Sequence, residues 1–158
     1  MKRILAALMC ALMVLTMMAG CTQEQTTTTP STENKTEAPA DVAMQYKTVD
    51  EAEKLLNDDS YVFFDVRKAV DVQMATIPGT LAYDMDAAKE GDFEAGVKTM
   101  QEATKDLDKN IVVICYSGKR YAQATTNALS ALGYDMSKVF TLEGGMKAWT
   151  EGGNAVEA

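Results

Sequence analysis

The residues best suited to chemistry stand together as Cys115-Tyr116-Ser117-Gly118-Lys119-Arg120. They follow the apolar run Ile111-Val112-Val113-Ile114 and precede a segment patterned as a helix, Tyr121 to Leu132. A cysteine where a buried strand gives way to a helix meets backbone N–H groups that have no intrahelical partner. These groups, with the positive end of the helix dipole, favour a thiolate over a thiol. Lys119 and Arg120 add two positive charges beside it. The stretch is suited to holding a sulfur anion.

Composition narrows the chemistry. The 158 residues contain no histidine, which removes Cys-His and Ser-His catalysis and every histidine-containing metal site. No metal and no separate cofactor is expected. The formal charge of -8 argues against a nucleic-acid partner and against a polybasic membrane patch. Six methionines, Met44, Met74, Met85, Met100, Met136 and Met146, are scattered through the later chain, a pattern of packing and not of metal capture.

The elements that must position the cysteine can be read around it. Thr48-Val49-Asp50-Glu51 has the form of a capping box opening a helix, after a short extended entry at Tyr46-Lys47. Tyr61-Val62-Phe63-Phe64 is a continuous apolar run, as in a strand buried on both faces. It stops at Asp65-Val66-Arg67; Lys68 to Met74 is weakly helical, and Ile77-Pro78-Gly79 turns into a strand at Thr80 to Tyr83. Phe93, Val97 and Met100 recur at helical spacing within Asp92 to Leu107. Gly133 suits the residue after the helix that follows the cysteine, with Ala124, Ala128, Leu129 and Leu132 facing inward. Val139-Phe140-Thr141-Leu142 is a last strand, and Glu143-Gly144-Gly145 leads to a short helix with Met146 and Trp149, the folded part ending near Glu151. Four to five short strands alternating with helices predict an α/β fold with a mostly parallel sheet. Ligands in such sheets bind at the carboxyl ends of strands, where Cys115 falls.

The beginning of the chain has a different character. Lys2 and Arg3 precede an uncharged, mostly apolar run from Ile4 to Met18, and Met18-Ala19-Gly20 stands before Cys21. This layout resembles the signal and lipobox of bacterial lipoproteins, with Met18 where leucine is more common. The resemblance implies cleavage after residue 20, a diacylglyceryl group on Cys21 and acylation of the new N-terminus, enough to anchor the protein stably. An ordinary signal peptide with Cys21 as a bystander is one alternative. An uncleaved span is another, although the apolar run falls short of the ~20 residues a bilayer requires. Residues 21–41 then form a Thr-rich tether with too little apolar surface to fold. Cleavage removes Lys2 and Arg3, so the mature charge becomes 13 minus 23, or -10. The expected location is outside the cytoplasm, on a bacterial membrane.

Residues 42–158 carry a second resemblance. Phe64-Asp65-Val66-Arg67, Ile77-Pro78-Gly79, Cys115 to Arg120 and Leu142-Glu143-Gly144-Gly145 with Trp149 occur in the order and spacing of a single rhodanese domain. That family implies a sheet with helices on both faces and a catalytic cysteine on a loop that cups a persulfide. One departure is Ala75-Thr76 where the family often has Gly-His; another is Tyr121 where a small hydroxyl residue is common.

The resemblance implies a sulfurtransferase. A small sulfur-containing anion such as thiosulfate would donate to Cys115, and cyanide or a thiol would accept from its persulfide. The N–H groups of Tyr116, Ser117, Gly118, Lys119 and Arg120 would hold the terminal sulfur, with Gly118 letting the loop turn inward. Arg120 would fix the cup through loop carbonyls or an acid at the strand ends, and Lys119 and Ser117 would face substrate. Asp65 with Arg67 reads as a structural pair, and Gly144 with Gly145 as a close backbone approach beside the loop. Alternatives are a persulfide carrier or sensor without turnover, a binding module, or a cysteine phosphatase or arsenate reductase. The phosphatase loop resembles Cys-x5-Arg; Cys115 to Arg120 is Cys-x4-Arg, a smaller ring that fits one sulfur better than a tetrahedral oxyanion. With Cys10 cleaved away and Cys21 lipidated, Cys115 would be the one free thiol of a monomer, without a disulfide partner.

Overall fold

The computed structural model describes residues 40–158, so the leader, Cys10, Cys21 and most of the tether lie outside the described residues. Thr48 and Glu51 form the capping box reciprocally. Glu51 N donates to Thr48 Oγ1 at 3.3 Å and Thr48 N donates to Glu51 Oε2 at 2.8 Å, opening helix α1 (Val49–Leu55). The residues before it, Gln45–Lys47, are a true edge strand, β1, paired with β5 (Val139–Leu142). The centre of the sheet is β2 (Tyr61–Asp65) beside β4 (Asn110–Ile114), and β3 (Leu81–Ala82) closes the other edge. The order is β1-β5-β4-β2-β3 and every pair is parallel. β3 is shorter than the Thr80 to Tyr83 expected, because an edge strand has one neighbour and its pairing ends as the chain turns away.

Helices cover both faces because the central strands are apolar on both. Side chains alternate along β4 and just beyond it. Ile111, Val113 and Cys115 join a core with Phe64, Met100 and Leu129, whereas Val112 and Ile114 join Phe63, Ala52, Met146 and Trp149. The first core lies under α3 (Asp86–Lys89), α4 (Phe93–Ala103) and α5 (Arg120–Ala131); the second lies under α1 and α6 (Gly145–Glu151). Helix α2 (Ala69–Met74) links β2 to the Ile77-Pro78-Gly79 turn. Met85, Met100 and Met146 pack inside, but Met74 is 72% exposed. Among the described residues, no helix is long and apolar enough to cross a membrane.

Three further elements differ from their sequence reading. The long segment at Asp92 to Leu107 is helical only over α4, with Asp92 capping Ala95 N at 3.0 Å. The four-residue α3 before it is too short to leave a periodic pattern. The folded part also continues beyond Glu151. Trp149 Nε1 donates to Ala155 O at 2.8 Å, and Thr76 and Glu157 exchange backbone hydrogen bonds at 2.8 and 2.9 Å. A strap held through backbone groups leaves no hydrophobic signature.

Gly96 on α4 is a packing residue: a Cβ there would stand 2.7 Å from Ala88 Cβ and 3.2 Å from Met85 Cε. Helix propensity alone favours alanine by about 1 kcal/mol, but overpacking costs about 1–3 kcal/mol. Gly96→Ala is therefore expected to lower stability in urea unfolding, against its propensity.

Candidate active site

Cys115 is the first residue after β4, 1% exposed, with a free thiol. The chain then turns through Tyr116 to Lys119 and enters α5 at Arg120, one residue before the expected start. The turn is shaped from the far side by α6. Met146 N donates to Cys115 O at 2.7 Å and Lys147 N donates to Tyr116 O at 3.1 Å. All peptides in the described chain are trans, so N–H and C=O of one peptide point in opposite directions. With the Cys115 and Tyr116 carbonyls turned to α6, the N–H groups of Tyr116 and Ser117 point away from it. None of the backbone N–H groups of residues 116–120 has an acceptor among the described residues. Five donors therefore cluster on the loop that follows one buried sulfur.

Two glycines make this approach possible. Gly118 has a φ of +67°, and a Cβ on it would stand 2.7 Å from Leu142 O. Gly145 has a φ of +60°, and its Cβ would stand 2.3 Å from Cys115 O and 2.7 Å from Ser117 N. Gly144, at the N-cap of α6, faces Ala148 instead. Gly145→Ala is expected to push the loop off the sulfur, and a misplacement of about 1 Å would slow any reaction at that sulfur by about 10²-fold. Steady-state assay beside a circular-dichroism melt separates this effect from unfolding.

Asp65 and Arg67 lie at the adjoining strand end as a buried pair. Arg67 Nη2 meets Asp65 Oδ2 at 2.7 Å, Nε meets Oδ1 at 3.0 Å, and the two side chains are 0% and 7% exposed. Thr76, at the position where the resembled family often has histidine, donates its hydroxyl to Asp65 Oδ2 at 2.7 Å. Arg67 also donates to Ala75 O at 2.5 Å and places its guanidinium 5.6 Å from the centre of the Tyr116 ring. The pair thus braces the loop from the side and does not reach Cys115 itself.

The rim is aromatic and cationic. A cavity of about 240 Å³ above Cys115 is lined by loop residues, by Tyr121 and by Lys89. The Tyr116 and Tyr121 rings meet edge to face at 5.2 Å. Tyr116 donates its hydroxyl to Asp71 and Tyr121 donates to Asp86 at 2.6 Å. Burial, then these hydrogen bonds to carboxylates, push both phenols above their usual range, so they stay neutral donors. Lys89 Nζ lies 5.1 Å from the Tyr121 ring centre, and its hydrogen bond to Glu90 holds its charge above the ordinary lysine range. Ser117 and Lys119 are exposed at the mouth.

Arg120 departs from its expected role. Its side chain is exposed and forms no hydrogen bond or ion pair among the described residues, to the loop carbonyls or to an acid. The Cys115 and Tyr116 carbonyls accept from amides of α6 instead. Lys89, Asp71, Asp86 and Thr76 surround the site, and sequence reasoning gave none of them a role there. Only Thr76 left a signal, by its place before Ile77-Pro78-Gly79.

Comparison with known proteins bears on the family and the fold. The rhodanese-like domain model matches residues 48–152. Among solved structures, a rhodanese-related protein from Thermoplasma volcanium is 23% identical, with 72% of this chain and 97% of that one covered and a TM-score of 0.53. A rhodanese-like domain protein from Staphylococcus aureus is 24% identical over 73% and 100% of the two chains, with a TM-score of 0.54. Thiosulfate sulfurtransferase from Pseudomonas aeruginosa is 21% identical over 72% of this chain but 20% of its own, with a TM-score of 0.55. At these identities the likeness establishes the fold. No curated protein matches the chain.

Proposed function

The chain belongs to the rhodanese-like domain family, and from that premise we propose that it is a sulfurtransferase working through a persulfide on Cys115. The observation that carries this reading is the set of five N–H groups, residues 116–120, that have no acceptor among the described residues, on the loop after the buried sulfur. The Cys115 thiolate attacks the sulfane sulfur of a donor such as thiosulfate. A new S–S bond forms to Cys115, the donor's S–S bond breaks, and sulfite leaves with the electron pair. The persulfide's terminal sulfur carries negative charge, which the loop donors stabilise without reorganising. An acceptor, cyanide or a thiolate, then attacks that sulfur and Cys115 leaves as a thiolate. With these nucleophiles neither step requires a general base, which suits a chain without histidine.

Thiosulfate treatment is expected to add the mass of one sulfur to the protein, and cyanide to remove it as thiocyanate with turnover. Mass gain without turnover would instead support the carrier reading, and no mass gain with any sulfane donor would reject both.

Export and lipid attachment at Cys21 belong to the same proposal and rest on the pattern of residues 1–21. Cys21→Ala is expected to release the protein from the membrane fraction or to leave an unprocessed precursor. Retention with normal processing would refute the anchor.

A further inference from the structure

A second cavity, of about 220 Å³, opens beside the one above Cys115, and Lys89 and Arg120 line both. Its wall is apolar at Ala88, Phe93 and Ala124. Its polar groups are oriented by the entry of the chain into the domain. Gln123 Nε2 donates to Val42 O at 2.8 Å and to Asn127 Oδ1 at 2.9 Å, and Asn127 Nδ2 donates to Asp41 Oδ1 at 3.0 Å. With its amide nitrogen committed, Gln123 Oε1 has no donor among the described residues. Arg120 likewise has no hydrogen-bond or ion-pair partner among the described residues, and its charge acts through space on Glu90. Lys89 is engaged by Asp86 and Glu90.

We propose that this second cavity is a subsite for the tail of a small peptide-like thiol, whose sulfur reaches the Cys115 cavity across Lys89 and Arg120. Arg120 takes a carboxylate of that tail through its planar fork of donors. Gln123 Oε1 and Asp41 take an amide N–H or an ammonium, and Ala88, Phe93 and Ala124 cover its carbon chain. A tail bearing both charges matches a site holding an unpaired cation and a carboxylate; a simple dianion would use only the first. The subsite rests on the persulfide reading of Cys115 and names the acceptor that reading leaves open. The thiolate attacks the terminal sulfur of Cys115–S–S⁻. One S–S bond forms to the small thiol, the bond to Cys115 breaks, and Cys115 is regained as a thiolate. The sulfane sulfur keeps its oxidation state, so no external oxidant is needed.

S-methylglutathione, which has no free thiol, is titrated into the full-length protein while backbone amides are followed by NMR. Shifts are expected at Ala88, Phe93 and Ala124; their absence overturns the subsite. With thiosulfate as donor, glutathione is expected to show a lower KM than 2-mercaptoethanol, which lacks the tail. Ala124→Phe, which fills the cavity, is expected to raise the glutathione KM by about tenfold, the loss of one favourable contact. The exposed variant Asp41→Asn is expected to raise it in the same direction. Both leave cyanide turnover unchanged, which also controls for folding. An unaltered glutathione KM in both variants overturns the subsite, as does an equal loss with cyanide. If no sulfur reaches any acceptor but S-methylglutathione still shifts these amides, the subsite stands and the sulfurtransferase reading fails. Cyanide turnover without those shifts removes the subsite alone.

Discussion

Cys115→Ser is expected to lose thiocyanate formation to the uncatalysed rate, together with the one-sulfur mass gain after thiosulfate. A serine hydroxyl is not ionised near neutrality, and its oxygen has neither the polarisability nor the leaving ability that sulfur transfer uses in its two steps. The fold is expected to persist. Serine is close to cysteine in size, and at a position 1% exposed its hydroxyl would lie beside a loop whose N–H groups lack acceptors among the described residues. The variant is measured by thiocyanate assay and intact mass, with a thermal melt to establish folding. Residual turnover well above the no-enzyme rate in a folded Cys115→Ser protein would remove Cys115 from the mechanism.

Asp65→Asn is expected to cause the largest loss of stability among these substitutions, about 3–5 kcal/mol, because it leaves the Arg67 charge buried without a counter-charge. The carboxylate accepts from Arg67 Nε, Arg67 Nη2 and the Thr76 hydroxyl within 3.0 Å, at a residue that is 0% exposed. An uncharged amide can keep one acceptor but cannot balance the guanidinium. Replacing the pair together, as Asp65→Leu with Arg67→Met, is expected to recover much of the loss, since apolar side chains of similar volume avoid desolvating two charges. Urea unfolding of Asp65→Asn and of the double replacement tests this. A Asp65→Asn protein as stable as the unaltered chain would show that the pair contributes nothing.

Most of the fold could be read because its signals are local. Thr48 and Glu51 stand three residues apart and cap the same turn, so four residues suffice to announce α1. The apolar runs of β2 and β4 declare strands buried on both faces. The edge strands and α3 were less legible, since each is only two to four residues long and gains its structure from a neighbour. At the site, Cys115 and its loop were visible from residue type and spacing. The role expected of Arg120 falls instead to amides about thirty residues later, at Met146 and Lys147, which hold the Cys115 and Tyr116 carbonyls.

The sequence alone determined that a thiol ends an apolar strand, that glycine and two cations follow it, and that the domain is built from alternating short strands and helices. Each is written within a few consecutive residues, through side-chain periodicity and the backbone freedom of glycine. Tertiary structure decided what surrounds the sulfur. Tyr116 meets Asp71 and Tyr121 meets Asp86 across 45 and 35 residues, and Lys89 reaches the rim from a helix with no readable pattern. Those contacts depend on the strand order β1-β5-β4-β2-β3, which brings distant loops to one end of the sheet. A packing of distant segments has no local period, so its consequences, the braced loop and the second cavity beside it, appear only once the chain is folded.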